Sequence, residues 1–307
     1  MNTITKQKQT NKIVSPEYQL IYISSLGRSG STLIDIILGE QENHFSLGEL
    51  NNLTRAGLIH GEYCSCGAII EDCPFWSKVI MDWNKVRNLS IVEYRKATIQ
   101  YVRTKGIFRF FKNMLFPSEN FRAFVADTRS LYDILLKHTN GAVLVESSKR
   151  AQKIWLLRKI GLKIKVIHLT RKFSGVLNSN KKFFKKDVKA GVERDLEPNE
   201  SAVQLALKWL LGNFMIFLFS LGSDKARIRY DALTENLTKT IKELNPVTED
   251  FGNKLQERGV FVPGHLVAGS RIRMQKEISV SAKPHDRDLS KLSRGERILV
   301  KLLDHLF

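Results

Sequence analysis

Residues 19–32, QLIYISSLGRSGST, join an apolar run to a glycine turn, and the apolar sequence LIDIIL follows directly. This order predicts a buried strand, a tight turn and the start of a helix. In that geometry, several backbone N–H groups and the positive end of the helix dipole point toward one place, where a phosphate group can bind. The residues predicted to form this phosphate site are Gly27, Arg28, Ser29, Gly30, Ser31 and Thr32.

The loop differs from a Walker A loop, whose pattern GxxxxGK[ST] places a lysine directly before the hydroxyl residue. Here two residues separate Gly27 from Gly30, and no lysine precedes Ser31. The sequence therefore predicts a phosphate site that is not built for hydrolysis of a magnesium–nucleoside triphosphate. The alternative is a plain strand-to-helix turn without a ligand.

Apolar segments rich in β-branched residues predict short buried strands at 20–24, 142–146, 164–169 and 226–230. Helices are predicted between and after them, at 31–38, 152–160, 173–184, 202–221 and 234–244, with a last helix from about residue 289. This alternation indicates an α/β fold with a P-loop-like parallel sheet flanked by helices. We expect a disordered tail at 1–17 and one domain at 18–307, with a large, mostly helical, substrate-side insertion at 40–140.

The net charge of +18 is concentrated between residues 149 and 190, which contain fourteen Lys and Arg and one acidic residue. Such a cluster attracts polyanions or forms a solvated basic face. Residues 1–17 are polar and contain no signal-like apolar stretch, so we expect a soluble, cytoplasmic protein. The apolar run at 209–221 is expected to be a core helix. For the aromatic and basic residues 108–116, an amphipathic core helix is favoured over peripheral membrane contact.

Three cysteines, Cys64, Cys66 and Cys73, lie within ten residues. Structural zinc sites have four ligands, and His60 is the candidate for the fourth. Small buried thiols or one local disulfide are favoured over a metal site, so no metal is expected.

A second anion site is suggested where the strand at 164–169 ends in Thr170 and Arg171. Ser179 follows eight residues after this arginine, about two turns along the next predicted helix. The two side chains could converge on a second phosphate. The alternative is an exposed arginine and an ordinary helix serine.

Together, GRSGST and residues 166–182, VIHLTRKFSGVLNSNKK, resemble the two phosphate-binding signatures of sulfotransferases that use 3′-phosphoadenosine 5′-phosphosulfate (PAPS). The resemblance implies that the first loop binds the 5′-phosphosulfate, and that Arg171 and Ser179 bind the 3′-phosphate. It extends over residues 20–275. It includes LGEL at 47–50, where the tyrosylprotein and bacterial branches carry a catalytic glutamate, and the segment CSCG…CPFW, which resembles the bacterial branch. A loop that closes over the cofactor is implied at Gly269, Ser270 and Arg271.

The implied reaction is an in-line transfer of a sulfuryl group to an acceptor hydroxyl or amine, without a metal. Glu49 is the predicted general base, with His44 and His60 as competitors. Arg28 is expected to neutralise charge on the leaving phosphate, and Lys149 to hold the sulfonate oxygens or to be surface charge. The weaker candidates are Ser147 and Ser148 beside the sulfonate, Arg273 as a partner of the 3′-phosphate, and Trp76 or Trp155 as a stacking ring. His168 is expected to be a core histidine.

Two other functions stay open. A P-loop kinase or nucleotide phosphotransferase predicts a Walker lysine, which the loop lacks. A non-enzymatic polyanion- or nucleic-acid-binding protein has no need for Glu49 and binds with strong salt dependence. The acceptor could be a glycan, a lipid, a small molecule or a peptide, anionic or not; no nucleic acid partner is expected.

Overall fold

A five-stranded parallel sheet forms the centre of the computed structural model, which describes residues 18–27, 29–103, 106–181, 201–244, 253, 259–279 and 292–306. Its order is β2-β3-β1-β4-β5, and every neighbouring pair is parallel. The strands are β1 (Leu20–Ser25), β2 (His44–Gly48), β3 (Val143–Glu146), β4 (Ile164–Thr170) and β5 (Asp224–Arg229). The predicted α/β class with a parallel sheet is confirmed.

Helices cover both faces of the sheet, which explains why β1 and β3 are buried along their whole length. They are α1 (Ser31–Gly39), α2 (Trp76–Val86), α3 (Ile91–Val102), α4 (Ile107–Leu115), α5 (Glu119–His138), α6 (Ala151–Lys159), α7 (Phe173–Asn180), α8 (Ala202–Phe219), α9 (Tyr230–Glu235), α10 (Leu237–Leu244) and α11 (Arg294–Leu303). A short antiparallel pair, β6 (Val260–Phe261) and β7 (Ile278–Ser279), lies outside the main sheet.

The predicted helix at 234–244 is two helices, α9 and α10, because Asn236 ends one and caps the next. Its side-chain oxygen accepts a hydrogen bond from the Lys239 N–H at 3.0 Å. The predicted tail at 1–17 and the end of the predicted helix at 173–184 lie outside the described residues.

Within residues 40–140, the structure contains the edge strand β2 besides α2–α5, and this strand was not predicted from the sequence. β2 pairs with β3, with Phe45 opposite Leu144. The strand is short, and its polar and glycine residues hide it in the pattern HFSLG. Its position matters because Glu49 follows directly after it.

The strand order fixes where a ligand can bind. Within the sheet, β2 and β3 lie on one side of β1, and β4 and β5 lie on the other side of it. In open α/β sheets, ligands bind beyond the carboxyl ends of the strands at such a reversal. The turn that contains Gly30 stands at this point.

Helix α8 differs from the expected core helix, because only one of its faces is buried. Trp209, Asn213 and Ile216 face the protein, whereas Leu211, Phe214 and other apolar residues are exposed. The helix has 18 residues and a mean hydropathy of 1.6, so by length and composition it is long and apolar enough to cross a membrane.

Gly212 lets α8 approach the first loop, because a Cβ there would lie 2.4 Å from the Leu26 side chain.

Candidate active site

The glycine turn after β1 starts α1 as the sequence predicts. Gly30 has φ +84°, and its carbonyl oxygen accepts hydrogen bonds from the N–H groups of Leu33 and Ile34. A Cβ at Gly30 would lie 2.2 Å from the ring of Tyr230, so no other residue fits this position without a shift. Ser29 donates to the Leu26 carbonyl at 2.6 Å and thereby closes the turn.

The remaining predicted residues of the phosphate loop differ in their burial. Ser31 and Thr32 are buried in the first turn of α1, and Gly27 is exposed. Arg28, predicted both to bind the donor and to act in catalysis, lies outside the described residues.

The predicted second anion site meets the first loop through Tyr230. The Arg171 guanidinium lies over the Tyr230 ring, 4.9 Å from its centroid, and the same ring packs against Gly30. The Trp209 indole N–H donates to the Arg171 carbonyl at 3.1 Å and fixes the backbone after β4. Ser179 lies near the end of α7. Its convergence with Arg171 on one phosphate stays a prediction.

The loop at Gly269, Ser270 and Arg271 contacts the start of α1, and its closure over a cofactor stays a prediction. The Ser270 N–H donates to Thr32 Oγ1 at 3.1 Å. A Cβ at Gly269 would lie 3.1 Å from the same Thr32 oxygen and 3.9 Å from a carboxylate oxygen of Glu49. The Glu49 N–H in turn donates to the Val267 carbonyl at 2.7 Å. This loop therefore joins the start of α1 to Glu49.

Glu49 and Lys149, both predicted to be catalytic, form an ion pair across the ends of β2 and β3. The Lys149 ammonium hydrogen bonds to Oε1 of Glu49, and the Asn52 amide donates to Oε2 at 2.8 Å. Burial by itself raises the pKa of Glu49, but Lys149, with contributions from Arg150 and Arg55, outweighs burial and keeps this pKa below its usual range. Glu49 is therefore ionised at neutral pH.

The turn that carries Lys149 is fixed on both sides. Lys149 itself has φ +68°, a conformation uncommon for a residue with a side chain. Tyr22 forms two hydrogen bonds of 2.8 Å with the backbone of Arg150, one as donor and one as acceptor. On the other side, the Ser148 hydroxyl accepts from the Asn51 N–H at 3.0 Å and donates to Glu146. This arrangement holds the ammonium group of Lys149 beside Glu49.

Glu146 is the centre of a buried polar network beneath the pair. It accepts hydrogen bonds from Tyr132, Ser148 and, at 2.6 Å, the buried Lys153 ammonium. Ser147 also points inward and donates to Asp35 at 2.6 Å. Ser147 and Ser148 are thus structural residues of this edge, and Lys153, one of the fourteen clustered cations, is not surface charge.

The two histidines proposed as competing bases have different surroundings. His44 stands at the start of β2, whereas Glu49 follows the end of the same strand, and burial lowers the pKa of His44. His60 is exposed after a π-helical turn, Leu53–Ile59. His168 is buried in β4 and contacts Asn213 at 3.1 Å, which confirms it as a core histidine.

Arg273 and Trp76 do not have the roles suggested for them. Arg273 is fully buried and donates to the Tyr63 carbonyl at 2.8 Å. Trp76 is equally buried, and its indole N–H donates to the His265 carbonyl at 2.7 Å. Trp155 is partly buried and packs edge-on against Phe110. Arg271, in contrast, is partly exposed next to Ser270, where the resemblance implies a contact with the donor.

Four arginines form a positively charged cluster on the insertion side. Burial, together with the like charges of Arg103 and Arg55, lowers the pKa of Arg95 to about 10. Burial and the charges of Arg150 and Arg55 also lower the pKa of Arg103. Among the described residues, the buried Nη1 of Arg95 has no hydrogen-bond partner. Because Arg55 and Arg150 also lower the pKa of Glu49, the cluster lies close to the Glu49–Lys149 pair.

Comparisons with known proteins add little to this geometry. No family model and no curated protein matches the chain. Among solved structures, the chain is similar to a sulfotransferase domain from the curacin biosynthetic pathway. The match has 16% identity and a TM-score of 0.43, and covers 93% of this chain and 96% of that chain. A likeness of this size carries no functional argument.

The assembled edge combines two chemical capabilities. Backbone N–H groups at the start of α1, with Thr32 and Arg171 nearby, can bind phosphate groups. An ionised carboxylate held by an ammonium group can remove a proton from an acceptor. Tyr230 and Asn52, which position these groups, were not predicted as site residues from the sequence. Tyr230 stands directly after the fifth strand, at the same sheet edge, and that position was the available signal.

Proposed function

We propose that this protein is a sulfotransferase that moves a sulfuryl group from PAPS to a hydroxyl or amine group of an acceptor. The observation that carries the proposal is the link from Thr32, through Ser270 and Gly269, to the Glu49–Lys149 pair. A phosphate-binding turn and a candidate base thereby share one edge of the sheet.

The donor side is supported by residues with anion-binding chemistry. The first turn of α1 offers backbone N–H groups to the 5′-phosphate, with the hydroxyls of Ser31 and Thr32 beside them. Arg171 at the end of β4 is the candidate partner of the 3′-phosphate, with Ser179. The absence of a lysine before Ser31 favours this donor over ATP.

In the proposed step, the acceptor oxygen or nitrogen attacks the sulfur in line with the leaving phosphate. The bond from sulfur to the acceptor forms, the bond from sulfur to the phosphate oxygen breaks, and the acceptor proton moves to Glu49. The products are the sulfated acceptor and 3′-phosphoadenosine 5′-phosphate (PAP). Lys149 keeps Glu49 ionised and supplies a positive charge where the sulfonate oxygens gain charge.

We further propose that the acceptor is anionic. The arginine cluster of Arg55, Arg95, Arg103 and Arg150 adds positive charge beside Glu49, and the Glu62 carboxylate lies 3.6 Å from Arg55. A carboxylate, sulfate or phosphate group on the acceptor would offset the repulsion among these like-charged arginines. Arg95→Gln should then raise the KM for an anionic acceptor and leave the KM for PAPS unchanged.

Thermal unfolding with added ligands tests the donor. PAP should raise the Tm, whereas ATP with magnesium at the same concentration should have a much smaller effect. Arg171→Ala should weaken PAP binding, and Lys159→Ala, an exposed change on α6, serves as the control. No stabilisation by PAP in folded protein would exclude the sulfotransferase proposal. Stabilisation by ATP–magnesium alone would favour a phosphotransferase.

A further inference from the structure

Three cysteines and a histidine meet at one point beside the candidate site. The ligand atoms of Cys64, Cys66, Cys73 and His265 all lie within 4.8 Å of one another. Cys64 and Cys73 are buried, Cys66 is exposed, and all three are free thiols. From the sequence, His60 is the candidate for the fourth member, but the fold places His265 there, about 190 residues after Cys73.

The distances match tetrahedral coordination. Zn–S and Zn–N bonds of about 2.3 and 2.05 Å place neighbouring sulfurs about 3.8 Å apart, and a sulfur and a nitrogen about 3.6 Å apart. In the structure, Cys66 Sγ and Cys73 Sγ are separated by 3.6 Å. His265 Nδ1 lies 3.1 Å from Cys73 Sγ and 3.8 Å from Cys64 Sγ. These three distances lie within about 0.5 Å of the tetrahedral values, and all four ligand atoms lie within 4.8 Å of one another.

Surrounding groups pack against His265 and join the backbone of the cysteine segment to that of the His265 loop. The His265 ring stacks beside Phe45 and Phe75, with centroid distances of 6.3 and 5.7 Å and interplanar angles of 10° and 24°. Its backbone carbonyl accepts the Trp76 indole N–H at 2.7 Å. Ser65, between the first two cysteines, donates to the Gly264 carbonyl at 2.6 Å and accepts from the Leu266 N–H at 2.7 Å. Such supporting contacts are typical of metal sites.

We propose that Cys64, Cys66, Cys73 and His265 bind one structural zinc ion. Three thiolates and one imidazole are a common structural zinc set, and four protein ligands leave no open position for catalysis. The ion would join the cysteine segment to the loop that begins at His265. That loop reaches Thr32 through Ser270, five residues later. Zinc would therefore hold this loop in place whatever reaction the site performs.

Metal content of the purified full-length protein tests the proposal. Elemental analysis should find about one zinc per chain, and chelation should lower the Tm. Replacement by cobalt should give the intense visible absorption of a tetrahedral thiolate site. His265→Gln should weaken zinc binding at least ~10-fold, and Cys66→Ser, at an exposed position, should do the same without loss of the fold.

His60→Gln is the matched control, because it changes the rival histidine and should leave the zinc content unchanged. The proposal is overturned if the folded wild-type protein takes up no zinc when the metal is supplied. It is equally overturned if mass spectrometry finds a disulfide among the three cysteines in the isolated protein, or if His60→Gln and not His265→Gln loses the metal.

Discussion

The Lys149 ammonium and the Glu49 carboxylate form an ion pair that connects the ends of two adjacent strands, β3 and β2. About 17–19% of each side chain is exposed, so the pair is reachable but largely withdrawn from water. A pair at the carboxyl edge of a parallel sheet is placed where substrates bind. Separate substitutions of Glu49 and Lys149 test what each contributes to the reaction.

Glu49→Gln should retain PAP binding and lower turnover about 10²–10⁴-fold, because an amide cannot accept the acceptor proton. Transfer of labelled sulfate from PAPS measures turnover, and calorimetry measures PAP binding. Glu42→Gln, an exposed carboxylate before β2, is the matched control and should behave as wild type. Normal turnover of the Glu49 variant would remove this residue from the mechanism.

Lys149→Met should shift the acid limb of the pH–rate profile to higher pH. Lys149 lowers the pKa of Glu49, and without the ammonium group burial dominates and raises that pKa. More of the base is then protonated at a given pH, so kcat/KM falls most on the acid side. Lys159→Met on α6 should leave the profile unchanged. An unshifted acid limb in the Lys149 variant would show that the pair does not set the ionisation of the base.

Gly30→Ala should lose PAP binding and destabilise the fold by about 1–3 kcal/mol, because alanine is strained at positive φ and its Cβ meets the Tyr230 ring. Chemical denaturation and calorimetry measure the two effects. Gly295→Ala in α11 is the control, since a Cβ there meets no atom within 4 Å. Wild-type affinity in the Gly30 variant would mean that this turn does not hold the donor.

The local elements could be predicted from sequence because their signals are local. β1, β3 and β4 are apolar runs, and the glycine turn before α1 is contiguous. β2 could not be recognised, since its strand character depends on pairing with β3 rather than on its own residues.

Long-range partners were hidden for the same reason. His265 joins the cysteines only through the fold, and Arg273 looks like a phosphate partner until its guanidinium is found buried on the Tyr63 carbonyl. The exposed face of α8 was missed because an apolar composition does not show which residues point outward.

Asp35 should make stability depend on pH near neutrality. It is fully buried in α1, and burial raises its pKa from 3.8 to about 7. The folded state therefore holds this proton more tightly than the unfolded state, and stability declines as the pH rises from about 4 to 7, by up to about 4 kcal/mol. Asp35→Asn should remove this dependence, as measured by denaturation at several pH values. Asp133→Asn, an exposed control, should keep it, and an unchanged profile in Asp35→Asn would assign the dependence elsewhere.

The exposed faces of α4 and α8 should bind anionic membranes. Phe108 and Phe116 are 86% and 75% exposed, and Phe111 stacks on the buried Phe219 of α8 at 6.1 Å, so the two helices pack against each other. Arg109, Lys112 and Lys208 supply positive charge on these helices. An amphipathic surface of this kind inserts its aromatic residues between lipids and attracts anionic headgroups.

Cosedimentation with vesicles measures this binding. The protein should bind phosphatidylglycerol vesicles more strongly than phosphatidylcholine vesicles. The double change Phe108→Ser and Phe116→Ser should reduce binding several-fold, because each change removes apolar surface that the membrane would bury. Leu302→Ser, at a 64% exposed position on α11, is the control for general loss of surface hydrophobicity. Equal binding by the double variant would contradict a membrane role. A concentration-dependent dimer that the double variant abolishes would assign this surface to a second copy of the chain instead.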